Sequence, residues 1–132
     1  MNQIRVRPQY HFRRTTDGVD AWFVARLIDL AADLPVQQID PRAVVELDED
    51  HWYSVGDMTP TPRSVIEHAS LIRSCDLSYP IILDAAGRVM DGMHRVCKAV
   101  MDDVASIPAK RFIADPAPDY VNCDPATLPY DR

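Results

Sequence analysis

Apolar positions along this chain fall into short blocks with two spacings. Ile81-Ile82-Leu83 is an uninterrupted β-rich triplet, as an inner strand buried on both faces requires. Asp84-Ala85-Ala86-Gly87 follows with turn chemistry and ends in a Gly suited to positive φ, and Arg88-Val89-Met90 returns as the second arm of a hairpin. From there the period changes. Met93, Val96, Cys97 and Val100 recur at i, i+3, i+4 and i+7, so they share one helical stripe with Arg95 and Lys98 on the far side.

The same spacing rules predict the remaining elements. Val24, Leu27, Ile28 and Ala31 predict a helix over residues 21–32, with Asp20 as N-cap and Pro35 beyond its end. Trp22 and Phe23 on it default to core. Thr61 as N-cap and Pro62 at the first helical position open a second helix to about residue 74, with Val65, Ile66, Ala69 and Ile72 as its apolar side and His68 exposed. Short strands are expected over 36–39 and near 109–113, where Pro108 suits a strand start or edge. Asp40-Pro41 begins a turn or short helix through Leu47, and residues 56–62 form a turn-rich connector. Residues 1–14 interleave Arg5, Arg7, Arg13 and Arg14 with Tyr10, His11 and Phe12, which reads as a solvated arm or a docked strand. The Pro-rich stretch from Asp115 reads as an irregular tail laid over the surface.

Composition narrows the class. With 132 residues, 47% of them hydrophobic, the chain supports one core and one domain. A net charge of −6 disfavours nonspecific nucleic-acid binding, whose affinity comes from neutralising phosphates. Cys75, Cys97 and Cys123 show no Cys-x-x-Cys spacing, so neither a zinc site nor a disulfide framework is suggested, and no metal-ligand set is read. No apolar run approaches a membrane span and residues 1–12 lack a signal-peptide centre, so a cytoplasmic protein without membrane contact is expected.

Two stretches carry candidate chemistry. Asp91 stands where an N-cap belongs and Gly92 lets backbone approach a ligand, so the following N–H groups and Arg95 form a candidate anion site. The plainer alternative has Asp91 only capping, Gly92 only turning and Arg95 only pairing with a carboxylate. Asp48-Glu49-Asp50-His51-Trp52-Tyr53 is the other stretch. Its carboxylates and His suit Mg²⁺ or general-base work, and Trp52 or Tyr53 suits stacking on a nucleobase. Its alternative is a solvated acidic turn with an aromatic tucked into the core. Arg63, a cation in a helix first turn, favours an anionic partner, although Glu67 one turn on serves equally.

The order PIIL, hairpin, GRVMDGMHR, helix, then a strand after Ile107-Pro108 resembles the ParB/sulfiredoxin superfamily, which carries a Gly-x-x-Arg box at a helix N-terminus. Gly92-Met93-His94-Arg95 fits that box. The ParB branch reads Gly-Glu-Arg-Arg, the free serine kinase branch Asp-Gly-His-His-Arg and sulfiredoxin Gly-Cys-His-Arg, so Asp91, Gly92, His94 and Arg95 are closest to the kinase form. Met93 replaces the sulfiredoxin Cys and the ParB acid, which argues against sulfinic acid reduction and ParB-type hydrolysis. Thr59-Pro60-Thr61-Pro62-Arg63 resembles the Pro-Arg box of ParB-like chains. The kinase-branch base falls at about Thr61 and Pro62, so an acid would have to come from Asp48, Glu49 or Asp50.

The resemblance covers residues 36–113. It implies an α/β domain with a mixed sheet and packed helices; outside it, residues 1–35 read as an arm and helix extension and residues 114–132 as an irregular tail packed on the same domain. It further implies a nucleotide- or phosphate-binding domain, with small-molecule phosphotransfer as the possible activity and ATP, ADP or CTP with Mg²⁺ as the ligands. Gly92 and Met93 would then offer backbone donors, with His94 and Arg95 neutralising phosphate and His94 also a catalytic candidate. Two alternatives stand beside it: a non-catalytic binding or regulatory module, and a ParB-like DNA-associated protein or nuclease.

Overall fold

The computed structural model describes residues 10–55 and 59–129; Arg5 and Arg7, the 56–58 part of the connector and the last three residues of the tail lie outside them. A four-stranded sheet carries the architecture, in the order β3-β6-β4-β5. Here β3 is Gln37–Ile39, β4 Ile81–Leu83, β5 Val89–Asp91 and β6 Ile107–Arg111. The β4–β6 pair is parallel and the β3–β6 and β4–β5 pairs antiparallel, so the chain is a small α/β domain with a mixed sheet.

Strand β4 sits inside the sheet, and its alternation feeds a separate apolar cluster on each face where a single core was expected. Ile81 and Leu83 join Val89, Ile107 and Ala109 beneath helix α3 (Met93–Met101), which contributes Met93, Val96 and Ala99. Ile82 turns to the opposite side, where Met90 and Phe112 meet Trp22, Leu27 and Ala31. Burial on both faces explains why this strand reads as three consecutive apolar residues. Its hairpin turn is tied down by Asp84, whose carboxylate accepts from the N–H groups of Ala86 and Arg88 and from Arg13 Nη2 at 2.9 Å.

Ahead of the sheet, β1 (Tyr10–Thr15) and β2 (Gly18–Phe23) form a separate antiparallel hairpin, with Tyr10 opposite Phe23 and Thr15 opposite Gly18. Residues 10–14 of the arm are thus a docked strand. The helix expected over 21–32 is corrected to α1, Val24–Leu30, because Ala21, Trp22 and Phe23 are taken by β2. Buried Val19 and Ala21 alternate along that strand, and Val, Trp and Phe suit a pleated, half-buried surface. Asp20 caps nothing there and instead accepts from Asn122 N. The tail lies across the hairpin: Ala21 N donates to Tyr120 O and Trp22 Nε1 to Pro116 O, at 2.9 and 2.8 Å.

Helix α2 (Pro62–Ser74) has the expected bounds and the expected Thr61 cap, but it is rotated. Val65 and Ile66 are 51% and 66% exposed, whereas His68 is 3% exposed. The face predicted as core is solvent-facing and the His predicted as exposed is inside. Among the described residues, no helix is long and apolar enough to cross a membrane.

Candidate functional site

The start of α3 is the expected anion site. Gly92 adopts φ 112°, and a Cβ added there would lie 2.5 Å from Ile81 Cγ2. Its missing side chain therefore serves the left-handed backbone and the close approach of β4. Gly92 itself is the N-cap residue, while Asp91 ends β5 and makes no cap. Arg95 points back across the strand entry. Its Nη2 donates to Asp91 Oδ2 at 3.0 Å and its Nη1 to the carbonyls of Tyr79 and Pro80 at 3.0 and 3.2 Å. Both charged side chains are largely buried, at 15% and 17% exposure. A phosphate at this corner would have to displace a carboxylate and two carbonyls, so the expected electropositive cradle is not assembled here. Met93 is buried in the core, and Arg63 is exposed at the start of α2.

His94 turns the other way, toward α2. Its Nε2 lies 2.8 Å from His68 Nδ1, and the Trp52 ring covers both imidazoles, with centroids 4.1 Å from His68 and 5.0 Å from His94. Tyr53 meets the His68 ring edge-on, and its hydroxyl is hydrogen-bonded to Ser64 Oγ at 2.9 Å. Burial pushes both imidazoles down, His94 to about 4 with help from His68, His51 and Arg95. At neutral pH the pair is uncharged, one ring donating its N–H to the other's lone pair. His68 Nε2 is buried with no hydrogen-bond partner. One face of Trp52 is thus already occupied by the protein's own rings.

Beside this stack, the 46–53 segment stands off α3 and leaves a half-open cleft of about 220 Å³. Glu46, Glu49, Asp50, His51, Trp52 and Tyr53 line one side, and Met93 and Cys97 the other. Glu46 is the unusual residue, 4% exposed and held at one oxygen only: Oε2 accepts from Val89 N at 2.9 Å and lies 3.5 Å from Arg88 Nε. Its Oε1 is buried without a hydrogen-bond partner. Arg88 also pairs with Glu49, and Asp50 accepts from Tyr53 N. Asp48 closes the preceding 3-10 turn (Val45–Asp48) and does not line the cleft. Burial lowers the His51 pKa against the pull of Glu46, which keeps that ring neutral at pH 7. Three carboxylates line the cleft, and Arg88 beside it pairs with two of them, Glu46 and Glu49.

The structure brings Glu49, Asp50, Trp52, Tyr53 and Met93 to one cleft and His94 to its wall of rings, and it leaves Asp48, Arg63, Asp91 and Arg95 outside. Sequence reasoning missed Glu46 and His68. Glu46 had a signal, a lone charge inside the apolar run Val44-Val45-Glu46-Leu47, where charges are rarely buried unless paired. No family model, curated protein or solved structure matches this chain.

Proposed function

We propose that this chain is a small-ligand-binding module on a ParB/sulfiredoxin-like scaffold, with its site in the cleft between the 46–53 segment and α3. The observation that carries this reading is Glu46 Oε1, a buried acceptor left without a donor at a cleft wide enough for a few heavy atoms. Buried polar groups are ordinarily hydrogen-bonded, and an orphan beside a cleft is explained by a ligand that supplies the missing donor. The scaffold proposal is supported by the order strand, hairpin, left-handed Gly, helix. Phosphotransfer is the less favoured reading, because Arg95 is compensated by Asp91 and the neighbouring cleft is acidic.

Amide spectra of the labelled chain, recorded during titration with a fragment set and separately with ATP, ADP and CTP with and without Mg²⁺, test this. Fragment-induced shifts should map to residues 46–53 and Cys97, and nucleotides should leave Gly92 and Arg95 unmoved. Saturable nucleotide shifts at Gly92 and Arg95, with none at residues 46–53 or Cys97, would return the site to the helix N-terminus.

A further inference from the structure

Granting the binding-module reading, the donors and charges around the cleft narrow its ligand. An ionised carboxylate only accepts, so the group that satisfies Glu46 Oε1 must carry an N–H or O–H. Glu49 and Asp50 add negative charge at the same opening; Arg88 is already engaged by Glu46 and Glu49, and Arg14 donates to Ser54 O. A carboxylate or phosphate ligand would meet net repulsion. A cation would meet attraction, and in a half-buried cleft that attraction is less screened than on an open surface.

The rest of the wall suits an organic cation better than an inorganic one. Among the described residues no three His, Cys, Asp or Glu side chains converge to hold a metal ion. What they do offer is one orphan oxygen, the aromatic side chains of Trp52 and Tyr53, and apolar Leu47 and Met93. Aromatic faces attract ammonium groups, and the apolar walls accept a carbon skeleton. We infer that the cleft takes a small organic ammonium, its N–H donating to Glu46 Oε1 and its hydrocarbon part lying against Trp52 and Met93.

Benzylammonium is a suitable probe, with benzyl alcohol, benzoate and benzyltrimethylammonium as matched controls, titrated into the full chain at neutral pH with tryptophan fluorescence and calorimetry as readouts. Benzylammonium should bind about tenfold or more tightly than benzyl alcohol and than benzyltrimethylammonium, which has the charge but no N–H, and benzoate should not bind. Glu46→Gln should weaken benzylammonium by about tenfold while amide spectra remain native. If that variant does not fold, Asp50→Asn, on an exposed side chain that still accepts from Tyr53 N, should weaken it about two- to threefold. Benzoate or benzyl alcohol binding as well as benzylammonium in the cleft would overturn the ammonium assignment and leave the module reading standing. No probe and no fragment perturbing residues 46–53 would overturn both.

Discussion

Arg95 shows how a residue recognised by motif can be engaged within its own chain. Its guanidinium ties the first residues before β4 to the end of β5 through Tyr79 O, Pro80 O and Asp91. Charge-assisted hydrogen bonds of this kind contribute more than neutral ones. Arg95→Ala should lower stability by about 1.5–3 kcal/mol in urea unfolding, since it also leaves the largely buried Asp91 without its partner. Both readings of the Asp91-Gly92-Arg95 group were available from residue order alone. The choice between them was not, because it depends on where Tyr79 and Pro80 place their carbonyls. His68 was illegible for a similar reason. Its partner His94 is 26 residues away, and Trp52 lies on a different element, so no local spacing marks the ring as buried.

At the scale of elements, the β4-to-α3 unit was legible because each local choice agrees with the whole: a two-faced apolar strand, a turn ending in Gly, then a helical stripe. Helix α2 was legible in extent and not in rotation. Its cap and Pro62 mark the start, but the hydrophobic stripe points outward and a pair of imidazoles under an indole replaces it inside. His68→Ala should therefore destabilise the fold by about 2–3 kcal/mol, from the cavity under Trp52 and the lost bond to His94. Ile66→Glu, on the exposed face, should change stability by no more than about 0.5 kcal/mol. Equal losses for the two in thermal or urea unfolding would mean that α2 presents its other side to the core. The end of the second hairpin strand was not legible because the helical spacing of Val24, Leu27, Ile28 and Ala31 draws residues 21–23 into the helix, while the pairing that claims them for β2 comes from β1 and the tail.

For the molecule as a whole, the four histidines act in one direction. His11 is driven to about 3 and His94 to about 4, chiefly by burial, and His51 and His68 are lowered for the same first reason. Each is neutral in the folded chain at pH values where the unfolded chain, titrating at the ordinary value of 6.5, takes up a proton. The unfolded state then binds more protons, so stability is fully present above about pH 6.5 and falls as the pH drops toward 4. Calorimetric melting should show a plateau above pH 6.5 and a loss of roughly 5–10 °C by pH 5. A melting temperature that rises on acidification through this window would contradict the burial of these rings.

Placing the binding site in an acidic, ring-lined cleft, away from the Gly92 corner, is tested most directly by measuring benzylammonium affinity side by side in the unmodified chain, Glu46→Gln and Arg95→Ala. Affinity should fall about tenfold in Glu46→Gln and stay within about twofold in Arg95→Ala. Binding that survives loss of the Glu46 carboxylate but disappears with the Arg95 guanidinium would contradict it.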